Sequence, residues 1–252
     1  MKNDLRISVI IPVLNEEQSI GKVISDIPHY VDDVIVVDNG STDNTAQVAR
    51  AHKARVISEN LRGYGSACLA GIEALQEETD IVVFLDGDYS DYPEEMDLLV
   101  DPILSGKFEM VIGSRVAGDS EKGALTPQAI FGNWLSCKLM RLFWGVRYTD
   151  LGPFRAITLS ALNSLNMKDQ TYGWTVEMQI KAAQRGVREL EVPVRYRKRI
   201  GKSKISGTLK GVIGAGTIIL VTIFSSAFDW HFKTKRQFEQ NLSDIRSELD
   251  KK

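Results

Sequence analysis

Short apolar runs rich in β-branched residues alternate with longer segments of helical period along the first 115 residues of the chain. The runs predict strands at Ile7–Leu14, Val34–Val37, Arg55–Ser58, Ile81–Leu85 and Met110–Gly113. Because these runs are apolar throughout rather than alternating, they are typical of strands covered on both faces of a parallel sheet. Start signals and periodicity predict the intervening helices at Glu16–Pro28, 41–53 and Gly65–Gln76. The succession predicts a doubly wound, mostly parallel α/β sheet with right-handed crossovers.

Polar side chains follow four of the predicted strands, at the point where each strand ends. They are Asn15, Glu16 and Glu17 after the first, Asp38, Asn39, Ser41 and Thr42 after the second, Asp86, Asp88 and Asp91 after the fourth, and Ser114 and Arg115 after the fifth. Any single set could be a solvated turn with helix caps. Ligands of open α/β sheets bind at the carboxyl ends of the strands, so the coincidence predicts a ligand site at this edge.

The acidic pair Asp86 and Asp88, separated by Gly87, is a candidate metal site. Mg²⁺ or Mn²⁺ takes one or two protein carboxylates and completes its coordination with substrate phosphates, which implies a nucleotide diphosphate. We expect Gly87 to let the backbone approach the ligand closely. A calcium loop of the EF-hand type is excluded, because Asp91 stands where that loop requires glycine.

Two other nucleotide-binding motifs fail. The phosphate loop G-x-x-x-x-G-K-[ST] needs a glycine where Tyr196 stands, although Gly201-Lys202-Ser203 matches its end. The stretch GYGSAC, residues 63–68, nearly matches the dinucleotide fingerprint, but it ends in Cys68 and follows the third strand rather than the first. A P-loop nucleoside triphosphatase and a dehydrogenase are therefore disfavoured.

The composition limits the classes of partner that the chain is expected to bind. The 252 residues are 43% hydrophobic, enough for one sizeable core, and the net charge of −2 does not predict a nucleic-acid binder. Cys68 and Cys137 lack neighbours at ligand spacing, which predicts a reduced chain without a zinc site. The charged start of the chain does not have the pattern of a secretory signal.

Eight segments in this order resemble family 2 glycosyltransferases, and more narrowly the dolichol-phosphate mannose synthases and related polyprenyl-phosphate sugar synthases. The segments are SVIIPVLNEEQSI, VIVVDNGSTDNT, NLRGYGSA, VVFLDGDYSDYPEEM, VIGSR, TDLGPFRAI, YGWTVEMQIKA and VPVRYRKRIGKSKISG. The resemblance covers roughly residues 6 to 210, and an ordered set is more specific than any single motif. It implies a nucleotide-sugar-binding fold of the glycosyltransferase A type, metal dependence, and inversion at the anomeric carbon.

The resemblance also implies roles for individual residues. Around the base and ribose it places Pro12, Asn15, Glu17 and Asp38. At the sugar nucleotide and metal it places Asp86 and Asp88, with Asp88 as the direct ligand. It implies that Arg115 faces phosphate or acceptor, that Asp150 and Arg155 line the sugar, and that Glu177 closes the pocket. It also implies a basic loop over the pyrophosphate, formed by Arg199, Lys202, Ser203 and Lys204. One departure is Ser90, which stands where mannose synthases commonly carry a metal-contacting glutamine.

The chemistry can be reasoned from charge alone. Breaking a sugar–diphosphate bond develops negative charge on the departing nucleotide, which a divalent ion and the charges of Lys202 and Lys204 would stabilise. A lipid phosphate, with a second pKa of roughly 6, needs no strong base to attack. A sugar hydroxyl would need a carboxylate base, for which Asp150 and Glu177 are the candidates.

Two apolar segments bear on the acceptor. Residues 211–228 carry no charge over about 18 residues, the lower limit for spanning a bilayer, and basic residues flank both ends. The pattern suits an interfacial helix at least as well as a single span, so we expect peripheral or single-pass attachment at the cytoplasmic face of a membrane. A buried helix or oligomer contact is the alternative. Residues 130–146 mix aromatic and basic residues, which suits either a headgroup layer or a core helix.

The predicted organisation is a catalytic domain over residues 1–206, divided into a donor-binding half (1–115) and an acceptor half (116–206), then a membrane-proximal helix (207–228) and a charged tail (229–252). The favoured function is transfer of a hexose to polyprenyl or dolichyl phosphate. Transfer to a saccharide or soluble hydroxyl and non-enzymatic binding of a nucleotide sugar are the alternatives. The sequence leaves the oligomeric state open.

Overall fold

The computed structural model describes residue 2, residues 4–201 and residues 214–232. Among these residues, the strands are β1 (Ile7–Val13), β2 (Asp33–Asp38), β3 (Arg55–Ser58), β4 (Ile81–Phe84), β5 (Met110–Ser114), β6 (Arg155–Thr158) and β7 (Glu189–Pro193). The helices are α1 (Ile20–Asp26), α2 (Thr45–Ala51), α3 (Tyr64–Glu73), α4 (Met96–Leu104), α5 (Pro127–Trp144), α6 (Leu159–Leu165), α7 (Trp174–Arg185) and α8 (Gly214–Phe232). Lys202, Ser203, Lys204 and most of the predicted tail lie outside the described residues.

One sheet contains all of these strands, in the order β3-β2-β1-β4-β6-β5-β7. The five strands predicted from apolar runs are confirmed to within one residue at each end. Their pairs β3-β2, β2-β1 and β1-β4 are parallel, as is β5-β7, whereas β6 is antiparallel to both β4 and β5. The predicted doubly wound, mostly parallel sheet is therefore confirmed, with one reversed strand that the apolar pattern did not indicate.

Both faces of the sheet are covered, which explains why its strands are apolar throughout. Along β1, Val9 and Ile11 belong to the core cluster that includes α1 and α4, and Ile10 belongs to the cluster that includes α3 and α7. All three side chains are fully buried. Alternate residues of a strand point to opposite faces, so two helical layers require two apolar sets.

The reversed strand β6 decides what meets at the functional edge. Parallel strands β1, β2, β4 and β5 all end there, and antiparallel β6 begins there. In the register of the sheet, Arg155 at the start of β6 pairs with Phe84 at the end of β4 and with Ile112 of β5. The loop that precedes β6, which carries Asp150, is therefore brought to the edge where the acidic segment after β4 lies.

Helix α8 packs on α5 and α7. Ile223 is fully buried in a cluster with Met140 of α5 and Val176 of α7, and Ile219 packs at its margin. Within the described part of the chain, α8 is the one helix long and apolar enough to cross a membrane, with a mean hydropathy of 1.2 and 6% of its apolar window buried. It extends to Phe232, beyond the predicted end of this segment at residue 228.

Two glycines of the rejected dinucleotide motif have a packing role. A Cβ atom at Gly65 would lie 2.0 Å from the backbone oxygen of Asp169, and one at Gly63 would lie 2.0 Å from that of Gln170. The Gly65 amide donates a hydrogen bond to the Thr171 carbonyl over 3.1 Å. These glycines therefore allow the start of α3 to lie directly against the backbone of residues 169–171.

This contact predicts opposite effects for two glycine-to-alanine changes. Gly65→Ala should lower the free energy of unfolding by about 2–3 kcal/mol, because its methyl group meets backbone that cannot move away. Gly132→Ala, in α5 with no atom within 4 Å of the added Cβ, should raise it by about 0.5–1 kcal/mol through helix propensity. Urea unfolding of both variants tests the pair, and similar effects in both would contradict the packing role.

Candidate active site

Residues 86–91, here called the acidic loop, leave the end of β4 and cross the end of β1. A Cβ atom at Gly87 would lie 2.5 Å from Val13 Cγ1, so the glycine is required by contact with β1. The expectation that Gly87 lets a ligand approach the backbone stays a prediction. Tight crossing fixes the acidic loop against the end of β1, beside the polar residues that follow that strand.

Asp86 and Asp88 carry the negative charge of the acidic loop. The Tyr64 hydroxyl donates to Asp86 Oδ1 over 3.1 Å. Burial, and then the neighbouring charge of Asp88, raise the pKa of Asp86 to about 6. Asp88 is 3% exposed, and Arg199 forms an ion pair with its Oδ2. The two carboxylates therefore form a partly neutralised pair with one cationic partner on Asp88.

Ser90 orients Asp88. Its backbone amide donates to Asp88 Oδ1 over 2.9 Å, and its hydroxyl donates to the same oxygen. The resemblance drew attention to this position because a glutamine is common there. In this chain the serine is fully buried and acts on the Asp88 carboxylate itself.

Asp91 is an acid to which the sequence reasoning assigned no role. It is 2% exposed, and within the described residues neither of its carboxylate oxygens has a hydrogen-bond partner. Burial, followed by the charges of Asp86 and Asp88, raises its pKa well above the ordinary value. A buried polar group without a partner is costly, so Asp91 marks a place where the fold gives up stability beside the acidic pair.

Residues 195–200 run alongside the acidic loop. The Arg197 amide donates to the Ser90 carbonyl and the Ile200 amide to the Asp88 carbonyl, both over 2.9 Å. The Arg197 guanidinium lies 3.3 Å from the ring centre of Tyr89 and 4.1 Å from that of Tyr92. This clamp, which the sequence reasoning missed, positions Arg199 at Asp88. The predicted basic loop of Lys202, Ser203 and Lys204 begins directly after it and stays a prediction.

Arg115 is held by Asp150 in a two-pronged ion pair. Its Nε donates to Asp150 Oδ2 over 2.8 Å and its Nη2 donates to Oδ1 over 2.7 Å. Its backbone amide also donates to Asp150 Oδ2. Asp150 is fully buried, and Arg115 lies over the Tyr196 ring at 5.2 Å. Both oxygens of Asp150 therefore serve to orient Arg115, which remains 17% exposed toward the edge.

Arg155 and Glu177 contact the protein's own backbone. The fully buried Arg155 guanidinium donates to the carbonyls of Gly152 and Thr175. The Glu177 carboxylate accepts the amides of Lys168 and Asp169 and forms a 2.7 Å ion pair with Lys181. In this structure both residues hold the loops that carry Asp150 and the 169–171 contact. The predicted roles, lining the sugar for Arg155 and closing the pocket for Glu177, stay predictions.

The residues predicted for the base and ribose organise the loop after β2. Thr42 donates its amide to Asn15 Oδ1 over 2.7 Å, and Asn44 donates its amide to Glu17 over 3.0 Å. Asp38 accepts the Ser41 amide over 2.9 Å. Pro12 lies beside this corner, in register with Val37 of β2. The structure thus brings these four residues together at the same edge as the acidic loop, while their contacts with a nucleotide stay a prediction.

Comparison with known proteins identifies the family of this chain. Glycosyl transferase family 2 matches residues 8–163. The undecaprenyl-phosphate mannosyltransferase of Micrococcus luteus is 30% identical over 243 residues, covering 90% of this chain and 96% of that protein. The dolichyl-phosphate hexose transferase of Haloferax volcanii is 31% identical over 221 residues, covering 86% and 94%. The resemblance to the polyprenyl-phosphate sugar synthase branch is thereby confirmed.

Solved structures share the fold. Glucosyl-3-phosphoglycerate synthase from Mycobacterium tuberculosis, in complex with phosphoglyceric acid, matches with a TM-score of 0.73 at 27% identity, covering 90% of this chain and 81% of that one. The same enzyme with Mn²⁺, UDP-glucose and phosphoglyceric acid matches with a TM-score of 0.72 at 26% identity, with the same coverage. The expected glycosyltransferase A type fold is confirmed. Since the family match spans more than half of the chain and relatives at 30% identity span most of it, this chain belongs to glycosyl transferase family 2.

Proposed function

We propose that this enzyme transfers a hexose, with inversion, from a nucleotide-diphosphate sugar to a polyprenyl or dolichyl phosphate, using Mg²⁺ or Mn²⁺. One observation carries the choice of acceptor. Both carboxylates that were candidates for a base are already engaged, Asp150 by Arg115 and Glu177 by backbone amides and Lys181. A lipid phosphate, with a second pKa of roughly 6, is mostly dianionic at neutral pH and attacks without such a base.

The acidic loop fits a divalent cation. Asp86 and Asp88 are hard oxygen donors, and the raised pKa of Asp86 reports negative charge that the described residues compensate only in part. Among the described residues there is no group of three or more acidic, histidine or cysteine side chains suited to a metal. Two carboxylates suit Mg²⁺ or Mn²⁺, which take their remaining ligands from water and substrate phosphates. When bound, the ion would stabilise charge on the departing diphosphate.

Arg199 and Arg115 are suited to different anionic groups of the substrates. Arg199 reaches the acidic loop from the 195–200 segment, and its charge is suited to the diphosphate of the donor. Arg115 is set by Asp150 on the side of β5 and β6, and its exposed part is suited to the phosphate of the acceptor. Both guanidinium groups stabilise negative charge in the transition state and bring two anionic substrates to one edge.

We infer that the enzyme is attached peripherally to a membrane through α8. The buried Ile223 packs against α5 and α7, whereas Val221, Phe224 and Phe228 are exposed by 51–64%. An apolar helix that rests on its own domain along one side and is apolar on the other suits the membrane interface better than a free span.

Transfer to a soluble acceptor is the second candidate. It is favoured by the solved structures that contain phosphoglyceric acid, and by Asp91, a carboxylate without a hydrogen-bond partner in the described part of the site. That acid would be the base for a hydroxyl group.

The first experiment separates these candidates. Labelled UDP- and GDP-hexoses are offered to the purified enzyme with Mn²⁺, together with polyprenyl phosphate or phosphoglyceric acid. We expect label in the organic phase, with EDTA or Asp88→Ala reducing transfer at least about 1,000-fold because several kcal/mol of charge stabilisation is lost. Asp101→Ala, an exposed acid on α4, is the matched control. Label found only in phosphoglycerate would establish the second candidate.

Asp86→Asn tests the charge of the acidic loop through stability. A raised pKa means that folding favours neutral Asp86. Its contribution to the free energy of unfolding is therefore full below pH 4 and is lost as the pH rises through about 6. Relative to wild type, the metal-free variant should therefore gain on the order of 1 kcal/mol at pH 7.5 and almost nothing at pH 4. Thermal unfolding at both pH values measures this difference. A gain that does not depend on pH would contradict the assignment.

Arg115→Lys and Asp150→Asn each remove the two-pronged ion pair between these residues and so test the acceptor side of the site. Lysine keeps the charge but cannot form the two-pronged pair, so the KM for the phosphate acceptor should rise about 10- to 100-fold. Nucleoside diphosphate binding, measured by calorimetry, should change by less than about twofold, because Arg199 is untouched. Arg195→Lys, in a pair with Glu94 and Glu95, is the matched control. Equal losses for donor and acceptor would contradict this division.

A further inference from the structure

Helix α5 presents an apolar and basic face to solvent. Its exposed large apolar side chains are Ile130 (50%), Phe131 (61%), Trp134 (53%) and Leu142 (74%). Lys138 and Arg141 are exposed as well. At 3.6 residues per turn these six positions fall within about one third of the helix circumference. The sequence left open whether this helix lies in the core. The structure shows that this face of the helix is exposed and does not lie in the core.

The exposed apolar surface is concentrated on two helices. Of the twelve large hydrophobic side chains exposed among the described residues, four lie on α5 and five on α8, and the other three are scattered. Phe143 of α5 and Phe224 of α8 contact each other edge to face, with ring centres 5.8 Å apart. A concentration of exposed apolar side chains on two helices that touch each other marks an interaction site, whereas single exposed residues do not.

Charge indicates which kind of partner covers this surface, a second copy of the chain or a lipid bilayer. The sequence of α5, PQAIFGNWLSCKLMRLFW, contains two basic residues and no acidic one. In a symmetric dimer through this face, Lys138 and Arg141 would meet their own copies without an acid on α5 to pair with. An anionic lipid surface complements both charges and accepts the aromatic side chains at headgroup depth.

The face is linked directly to the acceptor side of the site. Asn133, next to Trp134, donates from Nδ2 to the Thr149 carbonyl and accepts the Leu151 amide at Oδ1, both over 2.8 Å. Asp150, which holds Arg115, lies between these two residues. The exposed aromatic end of α5 and the arginine of the acceptor side are therefore joined through one loop.

We propose that the outward face of α5, residues 130–142, is a second membrane-docking surface that binds anionic bilayers together with α8. Phe131 and Trp134 enter the interface and Lys138 and Arg141 contact lipid phosphates. This surface goes beyond the attachment through α8, and it does not depend on which acceptor the enzyme uses.

The test is co-sedimentation of the full chain with vesicles of phosphatidylcholine containing about one third phosphatidylglycerol. The double variant Phe131→Ser/Trp134→Ser should bind at least about tenfold more weakly, because two aromatic side chains no longer enter the interface. Lys138→Gln/Arg141→Gln should lose about fivefold per charge, and only on vesicles that contain the anionic lipid. Leu61→Ser/Leu98→Ser, at 52% and 45% exposure elsewhere on the surface, is the matched control and should bind like wild type.

A labelled variant keeps the proposal testable if the double variant fails to fold. Trp134→Cys carrying a polarity-sensitive fluorophore should shift to the blue on vesicles, whereas Leu98→Cys with the same label should not. The native Cys68 and Cys137 are buried, which favours selective labelling.

Two results would overturn the proposal. One is unchanged vesicle binding in the folded aromatic variant, together with no spectral shift at position 134. The other is a lipid-free dimer that Phe131→Ser/Trp134→Ser converts to a monomer, since a second copy would then cover the face. Transfer to acceptor dispersed in detergent is measured in parallel, so that loss of docking with activity retained is distinguished from failure of the proposed reaction.

Discussion

The reversed strand β6 is the constraint on which the functional edge depends. It lies between β4 and β5 and runs opposite to both, so the chain enters the sheet at the edge where its neighbours leave it. A parallel strand in this place would put Asp150 at the far edge of the sheet, about a strand length away from the acidic loop. Because of the reversal, Asp150 can grip Arg115 directly after β5. Buried Arg155 fixes the same loop from below through backbone carbonyls.

Charge at this edge is only partly balanced, and that imbalance suits an enzyme whose substrates are anionic. Asp88 has Arg199, and Asp150 has Arg115, but Asp86 keeps a raised pKa and Asp91 has no hydrogen-bond partner within the described residues. A divalent cation with a nucleotide diphosphate would bring both the missing positive charge and the phosphates that the arginines are suited to bind. Arg199 keeps the buried Asp88 carboxylate paired.

The sequence was sufficient for the frame of the fold. Apolar runs located β1 to β5, because a strand buried on both faces can be read from composition alone. They did not locate β6, nor did they locate β7, an edge strand whose Glu189 and Glu191 interrupt the apolar pattern. Antiparallel insertion is a tertiary choice, and no local pattern reports it.

The candidate site divides in the same way. Acids and arginines at strand ends could be found because strand ends share an edge, and the acidic pair was recognised from its spacing. The contacts that each side chain makes could not be predicted from the sequence. Glu177 accepts backbone amides nine and eight residues before it, and Arg197 stacks on Tyr89 and Tyr92 more than 100 residues away. Such partners depend on how loops fold over one another, which periodicity and composition do not describe.

Asp91 has a consequence for the evolution of this chain. A buried carboxyl group without a hydrogen-bond partner lowers the stability of the fold, so replacing it with a neutral side chain of similar shape relieves that cost. Selection for heat resistance alone would therefore tend to remove this acid, whereas selection for turnover would retain it if the reaction uses it. Whether the acid persists in descendants adapted to high temperature would then report which of the two pressures governs the acidic loop.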